Sequence, residues 1–285
     1  MKRFIGLFLG GALLALPMAA LAQGPEGMTV TSSDVEVQSG GQAYASYLAA
    51  PSEGGPHPAI VLVHSFNGLE EGYRAMTDQL AARGFVTLAV GWQTFEQSPS
   101  DATMEQLLRD SIAFLSARDD VDPARIGLTG FCAGGRYTML FLALIDEFAA
   151  GVAWYGFPNR GDTTPASVID QLDAPMLIIH GTADQPSPIG ELYGYAEALA
   201  GAGKSFEMKV YAGEPHGFML QGGQLRTDDV GQDALEQMIS FFERKLGAGM
   251  GAATTDEAAG TSDAETTEDA GSDTNSVGGG LGDLY

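Results

Sequence analysis

Four short segments of this chain are apolar almost from end to end: Ala59–Val63, Phe85–Val90 (interrupted only by Thr87), Gly151–Tyr155 and Met176–Ile179. A strand with one wet face alternates in polarity, so a strand without alternation is covered on both faces. In a water-soluble chain that condition points to parallel strands with helices above and below. The intervening segments supply those helices. Arg74–Arg83 is amphipathic and ends at Gly84, and Met104, Leu107, Leu108, Ile112 and Leu115 recur at helical spacing. Ile189–Leu199 and Leu235–Lys245 read as two more helices, and Phe206–Tyr211 as a further strand. Ahead of them all, Thr29–Val37 and Gln42–Leu48 alternate around Ser39-Gly40-Gly41, which predicts an antiparallel hairpin. The expected class is α/β: a mostly parallel central sheet with helices on both faces and an N-terminal antiparallel hairpin, without internal repeats.

Ligands of such sheets sit beyond the carboxyl ends of the strands. At one such end, Arg125-Ile126-Gly127-Leu128-Thr129 runs into Gly130-Phe131-Cys132-Ala133-Gly134 just before a helix-like stretch. Small residues around a sharp strand-to-helix turn make a nucleophile elbow, which holds one side chain exposed above the sheet. Serine is the usual occupant; here it is Cys132, the only cysteine of the chain. A lone cysteine is more often a small buried hydrophobe than a nucleophile. The five residues alone leave both readings open.

The chain ends bear on that choice. Met1-Lys2-Arg3, the apolar stretch Phe4–Leu16 and Ala20-Leu21-Ala22-Gln23 have the form of a secretory leader, residues 1–22, with cleavage after Ala22. A periplasmic or secreted location is therefore expected. In an oxidising compartment a single thiol has no internal disulfide partner and is a liability unless chemistry requires it. No later segment is apolar for long enough to span a bilayer. From about Gly247 the chain is Gly, Ala, Ser and Thr with acidic residues and no Lys or Arg, so residues 247–285 are expected to form a disordered tail. Residues 23–246 remain as one domain. A net charge of −23 argues against a nucleic-acid partner, whose phosphates require a basic surface.

Two further strand ends carry candidates: Asp184 in His180-Gly181-Thr182-Ala183-Asp184, and His216 in Glu214-Pro215-His216-Gly217-Phe218. An imidazole can take a thiol proton and stabilise the thiolate, and a carboxylate behind the ring fixes its tautomer. Acyl transfer also needs donors for the developing oxyanion. The candidates are the backbone N–H groups of Ala133 and of Phe66, within His64-Ser65-Phe66-Asn67-Gly68. Each residue has a plainer alternative: Asp184 as a turn or helix cap, His216 as a loop histidine. His64 and His180 read as structural, and His57, between two prolines, as exposed and inert. Ser65, Tyr155, Phe157 and Phe218 are candidates for the thiol environment or pocket, with plain core as the competing reading. No metal-ligand spacing or dinucleotide fingerprint occurs, so neither a metal nor a cofactor is expected.

The Gly130-Phe131-Cys132-Ala133-Gly134-Gly135 elbow, Trp154-Tyr155-Gly156, His180-Gly181-x-x-Asp184 and His216-Gly217-Phe218 together resemble the dienelactone hydrolase family over about Gln42–Lys245. The resemblance implies an α/β-hydrolase fold with Cys132, Asp184 and His216 as triad, and cofactor-independent hydrolysis of an ester or lactone through a thioester. Two departures stand out. The founding type has a thiol-activating glutamate where this chain has Ser65, which leaves Ser65, Glu70, Glu71 or His216 alone to assist Cys132. It also binds its substrate carboxylate with arginines, whereas this chain has Phe218-Met219-Leu220-Gln221 after the histidine, Arg226 further along, and Trp92 and Gln93 after Val90. A neutral or apolar small-molecule ester or lactone is therefore expected. An acyltransferase or peptidase with the same triad, and a catalytically weak binding protein, are the competing functions. A monomer is the default expectation.

Overall fold

The computed structural model describes residues 20–23 and 28–247. The expected leader up to residue 19, and the expected tail after Gly247, lie outside the described residues. Ala20–Gln23 forms a strand, β1, paired antiparallel with the first strand of the hairpin. That hairpin, β2 (Thr29–Ser39) and β3 (Gln42–Pro51), turns through Gly40 and Gly41, both at positive φ. Two consecutive left-handed residues match the twist of a two-residue hairpin turn, and glycine occupies them without steric cost.

Next come β4 (His57–Val63), α1 (Glu71–Ala82), β5 (Val86–Val90), α2 (Asp101–Ser116), β6 (Val121–Phe131) and α3 (Ala133–Leu144). They are followed by β7 (Phe148–Trp154), a 3-10 helix over Pro165–Gln171, β8 (Met176–Gly181), α4 (Ile189–Gly201) and β9 (Phe206–Tyr211). Two-residue strands β10 (Leu220–Gln221) and β11 (Gln224–Leu225) precede α5 (Asp229–Leu246). The large sheet has the order β1-β2-β3-β5-β4-β6-β7-β8-β9. From β5 onward every neighbouring pair is parallel.

The pleat sorts the side chains of the central strands between two cores. Val61 and Val63 point to the face covered by α2 and α3, among Met104, Leu107 and Leu140. Ile60 and Leu62 point to the opposite face, among Tyr73, Met76 and Leu80 of α1 and Met238, Phe241 and Phe242 of α5. Each fully buried side chain of this size contributes ~1.5–3 kcal/mol on leaving water, which accounts for strands without polar alternation.

Helix ends explain where the boundaries depart from the periodic pattern. The Asp228 side chain accepts the Gly231 amide, so α5 starts well before Leu235, and Gly247 ends it in the left-handed conformation at φ 73°. Likewise Ser100 caps α2 by accepting the Thr103 amide. The 3-10 helix and the β10–β11 pair escape sequence expectation, since two to seven residues carry too little periodicity to register.

Candidate active site

The elbow is built by close backbone approach. Cys132 lies at φ 58°, ψ −111°, a conformation an L-residue holds only when its surroundings enforce it. Its amide donates to the Trp154 carbonyl at 3.1 Å, and its carbonyl accepts the Arg136 amide at 3.0 Å. Two glycines make this possible. A Cβ at Gly130 would come within 2.2 Å of the Gly134 carbonyl oxygen, and one at Gly134 within 2.1 Å of the Val63 oxygen. The turn therefore packs directly against the end of β4, beside the loop that carries Ser65 and Phe66.

Asp184, in the loop after β8, is buried and uses both carboxylate oxygens. Oδ1 accepts the Ser187 amide at 2.8 Å, and Oδ2 accepts the His216 Nδ1–H at 2.7 Å. The other ring nitrogen of His216, Nε2, is shielded from solvent and makes no hydrogen bond among the described residues. The thiol of Cys132 faces it. Burial alone would lower the imidazole pKa; the Asp184 hydrogen bond and then the Cys132 sulfur outweigh it and push His216 up to about 9. The ring is gripped by two aromatics, Tyr155 at 5.1 Å and Phe157 at 5.3 Å between centroids.

Cys132 and His216 open onto a cavity of about 460 Å³, also lined by Ser65, Phe66, Glu70, Tyr73 and Tyr155. The glycine turn Gly222–Gly223 between β10 and β11 also lines it. Among the described residues no lysine or arginine lines it. Arg226 is held instead by Glu214 and Asp228. The backbone amides of Phe66 and Ala133 have no acceptor among the described residues, Ala133 because it opens the first turn of α3. Phe66 is 45% exposed, and its peptide is held from behind: its carbonyl accepts from Gln93 Nε2 at 3.0 Å and from Gln97 Nε2 at 3.3 Å.

Of the carboxylates proposed to assist the thiol, Glu70 lines the cavity and Glu71 does not. Ser65 Oγ accepts the Asn67 amide at 3.2 Å, which shapes the loop that carries Phe66. Tyr155 is buried and takes the rare φ of 35° at the end of β7, where its amide donates to the Ile179 carbonyl. Two pocket candidates are displaced. Phe218 turns inward, packing against Trp154, Tyr155 and Tyr211, because the chain folds back immediately into β10. Phe157 flanks His216 without reaching the cavity, and its other partner is the Arg160 guanidinium, 3.9 Å above the ring.

The remaining histidines serve the scaffold. His64 is buried, donates from Nδ1 to the Ser65 carbonyl at 2.7 Å and stacks on Trp92, while burial lowers its pKa to about 4. His180 is buried below its ordinary pKa and bonds the Ser187 carbonyl at 2.8 Å. His57 is half-buried rather than exposed, against the Glu53 carbonyl. Ser187 carried no sequence signal, yet it organises this corner. Its amide holds Asp184, its carbonyl holds His180, and its hydroxyl donates to the Gly156 carbonyl at 2.7 Å, joining the β8 loop to the β7 end. Among the described residues no cluster of metal-ligating side chains occurs.

Comparison with known proteins identifies the family. The profile of the dienelactone hydrolase family matches residues 44–246. A Methylorubrum extorquens protein named carboxymethylenebutenolidase is 32% identical over 264 residues, spanning 84% of this chain and 90% of its own. A Bradyrhizobium protein named as a 2-oxo-3-(5-oxofuran-2-ylidene)propanoate lactonase is 28% identical, over 67% of this chain and 85% of its own. A Klebsiella pneumoniae structure described as a dienelactone hydrolase superposes with a TM-score of 0.69 at 24% identity, covering 75% of this chain and 99% of that one. The chain is a hydrolase of the dienelactone hydrolase family, with the α/β-hydrolase fold.

Proposed function

We propose that the chain hydrolyses a carboxylic ester or lactone through a thioester on Cys132, with Asp184 and His216 as its partners. The observation that carries this reading is the buried, otherwise unpartnered Nε2 of His216 facing the thiol while Asp184 holds Nδ1. His216 Nε2 takes the thiol proton, and the sulfur attacks the carbonyl carbon. A C–S bond forms and the carbonyl electron pair moves to oxygen, where the amides of Phe66 and Ala133 receive the charge. Collapse breaks the C–O bond, and the leaving alkoxide takes its proton from Nε2. Water then attacks the thioester, gives its proton to Nε2, and expulsion of the thiolate releases the acid. Asp184 remains ionised throughout and holds the imidazolium.

Activation rests on His216 and Asp184, since Ser65 stands where the founding type has its glutamate. The substrate is uncharged or apolar around the scissile bond, a reading supported by a cavity without lysine or arginine among its lining residues. We further propose an exported location, supported by the basic, apolar and small-residue sequence of the leader. A panel of p-nitrophenyl esters and simple lactones with wild type, Cys132→Ala and His216→Ala tests the chemistry. Turnover is expected in the wild type and loss in both variants, with acyl-enzyme captured on Cys132 by mass spectrometry. Undiminished hydrolysis in Cys132→Ala would refute the mechanism.

A further inference from the structure

The cavity beside Cys132 holds one charged group that this reaction does not use. Glu70 occupies the N-cap position of α1, where a side chain commonly turns back to bond the amides of the first turn. Its carboxylate makes no such bond. Burial raises its pKa, and no donor or cation acts against that shift. The carboxylate instead borders the cavity, with Oε1 close to Gly223: a Cβ there would lie 3.1 Å from it. Tyr73, one turn further along α1, lines the same cavity as Glu70 and Cys132.

The neighbouring basic residues are already committed. Arg74 pairs with Asp34 and lies over Tyr47, and Arg226 pairs with Glu214 and Asp228. A carboxylate half-withdrawn from water without a counter-ion raises the energy of the empty site, and a cation arriving with the ligand relieves it. Phe66, well exposed, lines the same space, and an aromatic face attracts ammonium and guanidinium groups in addition.

We propose that Glu70 is a specificity-determining residue, and that the preferred substrate carries a cationic group that reaches Glu70 while its ester carbonyl sits at Cys132. This rests on the hydrolase reading and narrows it: the ester is uncharged at the scissile bond and positive at its far end.

The test compares acetylcholine with 3,3-dimethylbutyl acetate, in which carbon replaces the quaternary nitrogen, so that the pair differs in charge and not in shape. Wild type is expected to favour the choline ester in kcat/KM by roughly tenfold, the scale of one partly exposed ion pair plus one cation–π contact. Added salt is expected to shrink that ratio. Glu70→Gln, matched in size, is expected to equalise the two esters, and Glu70→Lys to reverse their order. Glu71→Gln, at an exposed residue outside the cavity, is expected to keep the wild-type ratio. Equal kcat/KM for both esters in wild type, or a ratio unchanged in Glu70→Gln and Glu70→Lys, overturns the proposal. So does failure to turn over either ester by protein that hydrolyses p-nitrophenyl acetate. Turnover that survives Cys132→Ala overturns the hydrolase reading instead, so the two failures are distinguishable.

Discussion

Replacing Asp184 by Asn keeps the size of a buried side chain and removes its charge. Both carboxylate oxygens accept hydrogen bonds, from Ser187 at 2.8 Å and from His216 at 2.7 Å, whereas an amide offers one acceptor oxygen. With that oxygen on the Ser187 amide, the NH2 group faces Nδ1 and drives the imidazole proton onto Nε2. The nitrogen opposite Cys132 then cannot take the thiol proton. Loss of charge acts in the same direction. The rise of His216 from 6.5 to about 9 corresponds to ~3 kcal/mol favouring the imidazolium. Asp184 shares that effect with Cys132, and the cavity is partly open to water, so ~1–2 kcal/mol, roughly tenfold in rate, belongs to the carboxylate. The tautomer error adds to this, and triads deprived of their acid lose ~10⁴-fold. A fall in kcat/KM of ~10³-fold or more is expected for Asp184→Asn.

The assay is kcat/KM for p-nitrophenyl acetate across pH, alongside the alkylation rate of Cys132 by iodoacetamide. Wild type is expected to lose activity as pH rises through about 9, where His216 gives up the proton that it takes from the thiol and passes to the leaving alkoxide; in the variant that limb moves down toward 6.5. Stability follows the same proton. The folded-state pKa of His216 lies above its unfolded value, so its contribution is full below 6.5 and is lost as pH rises through about 9. Thermal melts of wild type are expected to weaken across that window more than those of the variant. A variant within a few-fold of wild type, with its limb still near 9, would refute the assigned role.

Gly134→Ala sets a Cβ 2.1 Å from the Val63 carbonyl oxygen, and is expected to lower stability by ~2–4 kcal/mol or abolish soluble expression; a denaturation midpoint equal to wild type would contradict the packing argument. Gln93→Ala removes a donor at 3.0 Å from the Phe66 carbonyl, and is expected to reduce kcat about tenfold through a looser oxyanion amide, with melting unchanged. A raised KM at constant kcat would show instead that Gln93 serves binding.

Much of this architecture is legible in sequence, because burial on both faces leaves a pattern within each strand. The elbow is legible for a similar reason: Gly130 and Gly134 are demanded by contacts that their own spacing dictates. Other features depend on elements remote in the chain. Ser187 lies in an unremarkable loop, and its importance arises only where β7 and β8 run side by side. Glu70 and Glu71 are indistinguishable until the phase of α1 is known, since one residue of rotation decides which carboxylate enters the cavity. Phe218 adjoins His216 in sequence, yet the reversal into β10 sends it to the core. Arg226 reads as a free cation until Glu214 and Asp228 are seen to hold it. Gln93 and Gln97 follow no motif, and meet Phe66 only because β4 and β5 are neighbours.

The three residues proposed for catalysis hang from β6, β8 and β9, and β9 forms one margin of the sheet. During synthesis the sulfur therefore emerges well before the imidazole meant to deprotonate it. A nascent chain holds an unassisted thiol until its last parallel strand docks, and a truncated product that lacks β9 keeps the elbow without its base. Chemical reactivity thus becomes a late-acquired property of this fold, and the speed of Cys132 alkylation during refolding reports on the arrival of the margin strand.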